Sequence, residues 1–385
     1  MRETIFLLAL GSANSGIALR VIEPMLPQLA SEFGIGIAAA ASVITTYAIA
    51  YAIGQLAYGP LGDRYGKLRI STWSLMGAAA GSIACAFAQD IGSLAALRFA
   101  TAIFASASMT LGMAHIGDTV PLAERQCVVA RFINGTIIGQ ALGPVVGGFF
   151  TDIFGWRGTF VFLGAVFASV AMTMLARTRP QWAGAARVGA GGNPFTAHLR
   201  LLRAVRVRYV VSVSFFDAFF FFGAYSFLGA FLKLKFDLSL SIIGLILSGF
   251  GIGGVLYTLL VKPLVRIFGQ RGLVAWGGAI CCGCFVLTAL TPLWVIAMPC
   301  TIGLGFSFYM LHNTVQTKAT EMAPEARGAA VSSYAATWSL GQGAGVAFMA
   351  LVVGFVDYVP AIIGFGAGFL ALGLWMRANL DKLST

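Results

Sequence analysis

The chain has 385 residues, of which 58% are hydrophobic and 10% charged, and its mean hydropathy is +0.87. A soluble core cannot bury this much apolar surface, so the composition excludes an ordinary soluble protein and indicates that lipid is the solvent. The formal net charge of +11 comes from basic residues in short segments between apolar runs, which favours membrane topology over nucleic-acid binding.

Apolar runs bounded by charged residues, Pro or Gly predict twelve membrane-spanning helices of about 20 residues each. The first half has spans at 4–29, 37–58, 70–89, 92–114, 129–152 and 158–176. The second half has spans at 209–232, 239–262, 272–290, 293–313, 329–353 and 358–376. We therefore predict an all-α membrane protein with an N-terminal half (1–176), a cytoplasmic linker (177–208) and a C-terminal half (209–385).

The basic residues predict the orientation of these helices. If the N-terminus is inside, twenty of the 25 Lys and Arg residues lie on cytoplasmic segments, three lie outside and two lie within helices. The N-terminus continues into the first apolar run without a cleavage signal, so we expect that helix to be retained. These patterns predict a multi-pass protein of a bacterial-type plasma (inner) membrane with both termini cytoplasmic.

The linker between the halves contains Gly189, Gly191 and Gly192, seven arginines and no carboxylate. Such a segment is flexible and basic, so we expect it to contact the anionic headgroups of membrane lipids.

Several kinds of site are not expected. The six cysteines lie mostly in apolar runs and have no partners at metal-ligand spacing, so we interpret them as small packing residues and predict no metal site. No phosphate-binding Gly-rich loop or hydrolase motif occurs. We therefore expect neither an enzyme nor a bound cofactor.

The two halves resemble each other in sequence. At an offset of 202 residues Gly139-Gln140 aligns with Gly341-Gln342, and at 203 residues Gly66 aligns with Gly269. An offset of six helices preserves orientation in the membrane, so the halves are predicted to be parallel repeats with a solute path between them.

The most specific motif lies in the loop after the second helix. It includes Gly59, Asp63, Arg64, Gly66 and Lys67. Glycines allow a tight turn there, Asp63 suits a positive helix N-terminus, and Arg64 or Lys67 can pair with a carboxylate such as Asp118. The loop resembles the signature loop of the major facilitator superfamily. This resemblance implies a cytoplasmic gate in which Asp63 faces the region near Gly328 in the outward-open state, although Leu68 replaces a usual basic residue.

The fifth predicted helix has glycines at a four-residue period, which would let a neighbouring backbone approach closely. The residues concerned are Gly135, Gly139, Gly143, Pro144, Gly147 and Gly148. This pattern is similar to a motif of proton-coupled exporters of the superfamily that is generally missing from uptake symporters, and it favours efflux. The alternative is ordinary small-residue packing between membrane helices.

Four ionisable residues lie within predicted spans, where charge is costly and usually functional: Arg20, Glu23, Arg98 and Asp217. Arg20 and Glu23 are spaced to pair on one face, beside a Glu-Pro-Met-Leu-Pro segment that resembles helix one of drug and metabolite exporters. Glu23 is either half of a structural ion pair or a proton site. Arg98, which partly matches a third family motif, either reaches water or joins a buried cluster with Arg20 and Glu23.

Asp217 lies among phenylalanines with no basic residue in its own span. It is a candidate for proton exchange, and the alternative is a hydrogen bond to a neighbouring helix. The phenylalanines either face lipid or line a pocket for apolar substrates. The histidines His115, His198 and His312 fall at helix ends or in the linker, so we predict that they lie at the interface and take no part in a proton relay.

Taken with the resemblance, these features imply the major facilitator fold, with a central cavity lined by helices one, four, seven and ten. The expected function is alternating-access efflux of small, apolar or drug-like solutes in exchange for protons, by a monomer in contact with membrane lipids. Alternatives are a sugar or metabolite exporter, a proton-coupled uptake symporter, and a receptor-like membrane protein that does not transport.

Overall fold

The computed structural model describes residues 2–182, 198, 200–323 and 327–383. Within these ranges the chain is almost entirely helical and contains no β-strand. Most of the predicted linker, with its three glycines, lies outside the described residues.

The N-terminal half begins with a helix that is interrupted partway. Its helices are α1 (Arg2–Arg20), α2 (Leu26–Glu32), α3 (Ile37–Ala40), α4 (Ser42–Tyr65), α5 (Lys67–Cys85), α6 (Ile91–Ala105), α7 (Ala107–Thr119) and α8 (Leu122–Thr178). A short 3-10 turn (Glu23–Met25) separates α1 from α2, because Pro24 and Pro27 lack the backbone N–H that would continue the helix. The first predicted span is therefore broken at Glu23.

The C-terminal half has fewer and longer helices. They are α9 (Val205–Phe236), α10 (Leu240–Leu290), α11 (Ala297–Glu321), α12 (Arg327–Val356) and α13 (Tyr358–Asn379). Three further 3-10 turns lie at Arg179–Trp182, Trp294–Ile296 and Leu380–Leu383.

The two longest helices, α8 and α10, each turn back on themselves at a glycine. Gly155 in α8 has φ 71° and ψ 167°, and Gly269 in α10 has φ 62° and ψ 176°. The rings of Phe150 and Phe162 stack 4.1 Å apart across the first turn. In a straight helix, residues twelve apart would be separated by about 18 Å. Each long helix is therefore a pair of antiparallel arms.

The repeat seen in the sequence extends to the backbone. All six positive-φ residues of the described chain fall into three pairs at an offset of 202 or 203 residues: Gly34 with Asp237, Gly66 with Gly269, and Gly155 with Asp357. Aspartate can replace glycine in two of these turns because its short polar side chain tolerates positive φ. The turns between helices are thus built alike in the two halves.

Helix packing repeats in the same way. A Cβ atom at Gly139 of α8 would overlap the carbonyl of Ala13 on α1. A Cβ atom at Gly341 of α12 would overlap the carbonyl of Phe215 on α9. All four residues are related by the 202-residue offset, so the sequence match between Gly139 and Gly341 reflects an equivalent close approach of two backbones.

The structure supports membrane insertion but not a unique number of spans. Among the described residues, nine helices are long and apolar enough to cross a bilayer, and two of these run 52 and 51 residues because they include the turns at Gly155 and Gly269. Counting both arms of each, together with α5, would give twelve, and that number stays a prediction. The division into two halves at 176 and 208 also stays a prediction, and α8 itself continues to Thr178.

Candidate functional site

A cavity of about 510 Å³ lies between the two halves. Its wall includes Tyr51 and Gln140 from the first half and Phe222, Tyr309 and Trp338 from the second half. The lining continues along α10 to a residue next to the Gly269 turn, so the cavity extends to the predicted cytoplasmic end of the helices. Pockets of this size accommodate drug-sized solutes.

The carboxylate of Asp217 lies behind the cavity wall and is fully buried. Its Oδ2 is 2.6 Å from Nδ1 of His312 on α11, and the indole of Trp338 on α12 lies beside the same carboxyl group. The hydroxyl of Tyr334 is 3.2 Å from Nε2 of His312. Three helices thus meet at a carboxylate–imidazole pair whose imidazole lines the cavity.

This arrangement corrects the sequence-based prediction for His312. The prediction placed His312 at the membrane interface because it lies near the end of its span. In the structure its ring stacks on Phe308, with centroids 4.8 Å apart, and its side chain is only 12% exposed. His312 lies on α11, which corresponds to the tenth predicted helix. That helix is expected to line the central cavity, and this expectation could have placed His312 at the cavity.

Arg20 and Glu23 form the expected ion pair. Arg20 Nη1 is 2.8 Å from Glu23 Oε1, which also accepts a hydrogen bond of 3.3 Å from Ser226 on α9 in the other half. Both side chains are buried, and the guanidinium of Arg20 lies 3.7 Å from the ring centre of Phe222. The pair therefore lies at the interface between the halves, behind one wall of the cavity. Glu23 Oε2 has no hydrogen-bond partner among the described residues.

Arg98 does not join this pair in the structure. Its Nη2 donates to the carbonyl of Ala18 over 2.8 Å, and its guanidinium lies 3.8 Å from the ring centre of Tyr47. The side chain is only 1% exposed, so it does not reach water. Arg98 connects α6 to α1, and no carboxylate pairs with it within the described ranges.

In the predicted gate loop, Lys67 joins two carboxylates. Its Nζ is 3.1 Å from Asp63 and contacts Asp118 at the end of α7. Partial burial alone would lower the pKa of Lys67, but hydrogen bonds to Asp118 and Asp63 outweigh burial and raise that pKa. The amine stays charged and ties the ends of α4, α5 and α7 together.

The remaining loop residues are arranged around this bridge. Gly66 has φ 92°, a conformation that favours glycine, and Arg64 lies over the ring of Tyr65. A Cβ atom at Gly59 would meet nothing within 4 Å, so no close approach requires that glycine. The approach of Asp63 to the region near Gly328, implied for an outward-open state, stays a prediction.

The glycine-rich first arm of α8 packs on two helices at once. Its four-residue series faces α1, where added Cβ atoms would meet backbone or Cβ atoms; these glycines are Gly135, Gly139, Gly143 and Gly147. Its other face meets α10 of the second half, where Gly148 lies against Leu240 and Gly244 lies against the carbonyl of Pro144. This arm therefore forms part of the interface across which the halves would have to move.

At the predicted outer end, a carboxylate joins the two halves. Asp152, near the turn of α8, accepts hydrogen bonds from the backbone N–H of Leu240 (3.3 Å) and of Ser241 (2.7 Å) and from the Ser241 hydroxyl (2.6 Å). A carboxylate is stabilised at a helix N-terminus by unpaired N–H groups and the helix dipole. Nothing in the sequence singles out Asp152, because only the packing of α8 on α10 brings these groups together.

The fold resembles those of solved transporters. The chain matches a bacterial homologue of the human lysosomal transporter Spinster with a TM-score of 0.73 and 18% identity, covering 100% of this chain and 95% of the other. It matches a peptide transporter POT, solved with sulfate, with a TM-score of 0.77 and 14% identity, covering 99% and 95%. At these identities the likeness establishes the fold alone.

Curated relatives match over part of the chain. An MFS-type transporter of Penicillium rubens is 34% identical over 150 residues, which are 39% of this chain and 27% of that protein. An efflux pump of Gibberella moniliformis is 33% identical over 132 residues (34% and 22%), and citrate exporter 1 of Aspergillus niger is 27% identical over 161 residues (42% and 31%). The matched segments thus span less than a third of these relatives.

The family model described as Major Facilitator Superfamily matches residues 8–346 and 214–381, and so covers nearly the whole chain. The helical architecture, the repeated turns and the cavity between the halves agree with this match. The chain is a multi-pass membrane protein that belongs to the Major Facilitator Superfamily.

Proposed function

We propose that this protein is a secondary active transporter that exports small solutes in exchange for protons. The observation that carries the proposal is the buried Asp217–His312 pair at the wall of the central cavity. A carboxylate and an imidazole in contact can bind or release a proton at a site that a solute also reaches. One group of residues could thus link proton movement to solute movement.

The halves would alternate by rocking about the interface formed by the first arm of α8. In the present conformation the cavity reaches the predicted cytoplasmic end, while Asp152 and Ser241 connect the halves at the other end. Solute would enter from the cytoplasm, and proton binding from the outside would accompany the return step. Glu23 is a second candidate proton site, because its carboxylate contacts both halves.

Efflux is preferred over uptake on two grounds. The helix-five glycine motif resembles that of exporters, and two of its residues, Pro144 and Gly148, contact the second half. The matched relatives include proteins named as an efflux pump and a citrate exporter. The citrate exporter also supports a metabolite exporter as a second candidate function. In either case the role is transport rather than enzymatic catalysis.

The membrane and the assembly state also belong to the proposal. We place both termini in the cytoplasm because most basic residues lie on that side, and we propose that a monomer is the working unit. The curated relatives named above are fungal. A bacterial-type plasma membrane therefore stays a prediction that these relatives do not support.

The direction of transport is tested by a resistance screen. A strain that overexpresses the chain is challenged with varied toxic compounds, beside a strain that expresses an Asp217→Asn, His312→Gln double variant at the same level. Efflux predicts resistance, with lower intracellular accumulation, to at least one compound only in the first strain. Sensitisation to compounds that the first strain accumulates would instead show uptake.

A further inference from the structure

The cavity is lined by aromatic rings and neutral polar groups. The rings include those of Phe222, Tyr309 and Trp338, and the side-chain amides include those of Gln55, Asn134 and Gln140. Within the described part of the chain, no Lys, Arg, Asp or Glu lines this cavity. Its surface therefore offers ring faces and hydrogen-bonding groups, and among the described lining residues His312 is the sole titratable group other than tyrosine.

Arg20 and Asp217 lie buried behind the cavity wall, and each has a partner inside the protein. Arg20 lies behind Phe222 and is bound to Glu23. Asp217 lies behind His312 and is bound to it, with none of its surface exposed. An ionic solute would lose its hydration on entering and would meet no Lys, Arg, Asp or Glu among the described residues of the wall, which is costly in a medium of low dielectric constant.

The amides are suited to an uncharged partner. Gln55 Oε1 accepts a hydrogen bond of 3.2 Å from Ser339 across the interface, which leaves its amide N–H₂ as a donor. The side chains of Asn134 and Gln140 make no hydrogen bond within the described residues, and each carries both a donor and an acceptor. The aromatic faces favour a flat, apolar body between these groups.

From this lining we infer that the cavity selects uncharged, planar aromatic solutes that carry amide-like donor and acceptor groups, and that it discriminates against organic cations. The inference rests on the proposed function, because it takes the cavity to be the solute site. If the solute is uncharged, its exchange for a proton moves net charge across the membrane. The membrane potential would then contribute to the driving force.

Three probes of one shape test the inference. Naphthalene-2-carboxamide, naphthalene-2-carboxylate and 2-naphthylmethylammonium differ mainly in charge. Their binding to the purified full chain in detergent is measured by equilibrium dialysis, after subtraction of micelles without protein. We expect the carboxamide to bind at least about tenfold more tightly than either ion, since the described wall of the cavity carries no Lys, Arg, Asp or Glu to replace an ion's hydration.

A near-isosteric variant supplies the control. Gln140→Glu places a carboxylate on the wall without changing its volume, so it should weaken carboxamide binding and strengthen ammonium binding by about tenfold. Thr320→Ser, on α11 beyond the last residue of the cavity lining, should leave the order of the probes unchanged. A reversal of the order in Gln140→Glu would place the probes in this cavity.

Several results would overturn the inference. These are ammonium or carboxylate binding as tight as carboxamide binding in the parent, ammonium binding that is lost in Asp217→Asn, or no binding of any probe at millimolar concentration. Because dialysis requires neither a gradient nor transport, the solute class can fail while proton-coupled export stands. Conversely, export can fail while the binding preference stands.

Discussion

The pairing of Asp217 with His312 gives an imidazole a defined role at the edge of the cavity. Nδ1 faces the carboxylate, and Nε2 lies near the hydroxyl of Tyr334. Protonation of the imidazole would make the pair a salt bridge, and release of the proton would leave a single buried negative charge. The two states differ in net charge next to the solute path, so proton binding would change what the cavity can hold.

We predict that His312→Gln lowers efflux by at least about tenfold and removes its dependence on an imposed proton gradient. Glutamine can still donate a hydrogen bond to Asp217, but it cannot carry a proton. Efflux is measured in everted vesicles with a compound identified by the resistance screen. His115→Gln is the matched control, because His115 on α7 does not line the cavity. Gradient-driven efflux by His312→Gln equal to that of the parent would exclude the imidazole from coupling.

Glu23 differs from Asp217 in having an arginine as its partner. We predict that Glu23→Gln destabilises the protein by about 3 kcal/mol, because it leaves the charge of Arg20 buried without compensation. The double variant Arg20→Met, Glu23→Gln should regain much of that loss, as judged by thermal unfolding in detergent. If the double variant also transports with normal proton coupling, the pair is structural. If the double variant regains its thermal stability but no longer couples transport to protons, Glu23 takes part in proton transfer.

At the scale of helices, the close contact between α1 and α8 depends on glycine. We predict that Gly139→Ala costs about 1–3 kcal/mol, because the added Cβ atom would overlap the carbonyl of Ala13 and force the helices apart. Gly283→Ala is the control, since nothing lies within 4 Å of a Cβ atom there and alanine favours helix. Thermal unfolding of both variants provides the measurement, and equal melting temperatures would contradict the packing argument.

Much of this helical framework follows from the sequence. Apolar runs locate the helices, and the matches of Gly66 with Gly269 and of Gly139 with Gly341 identify turns and contacts that the two halves share. Local signals suffice here because a turn with positive φ or a close backbone approach requires a particular residue type at one position.

Contacts between distant helices were less predictable. The sequence left open whether the phenylalanines around Asp217 face lipid or a pocket, and both occur: Phe216 is 44% exposed, whereas Phe222 lines the cavity. The sequence does not predict the contacts of His312 and Asp152, because their partners lie on other helices. Residue spacing within one segment does not indicate contacts with distant segments. Arg98 was placed correctly within a helix, but its partner is a backbone carbonyl, which sequence does not reveal.

At the scale of the whole molecule, Asp152 joins the two halves at the predicted outer end. We predict that Asp152→Ala weakens the contact between the halves by about 1 kcal/mol and raises the outward-open population about fivefold. Asp357→Gly is the control, because Asp357 caps its own helix at Tyr358 rather than joining the halves, and glycine keeps its positive φ. Spin labels at positions 90 and 293, after replacement of the native cysteines, report the separation by pulsed electron paramagnetic resonance. Identical distance distributions in both variants would contradict a role for Asp152 in closure.

Proton-driven export through Asp217 is tested most directly by flux in proteoliposomes. Parent protein and Asp217→Asn are reconstituted at equal amounts, and uptake of a compound from the resistance screen is followed with and without a pH gradient that mimics proton entry into the cell. We predict that the parent concentrates the compound only when the gradient is present, whereas Asp217→Asn only equilibrates it. Uphill transport by Asp217→Asn equal to that of the parent, or parent transport that ignores the gradient, would contradict the account.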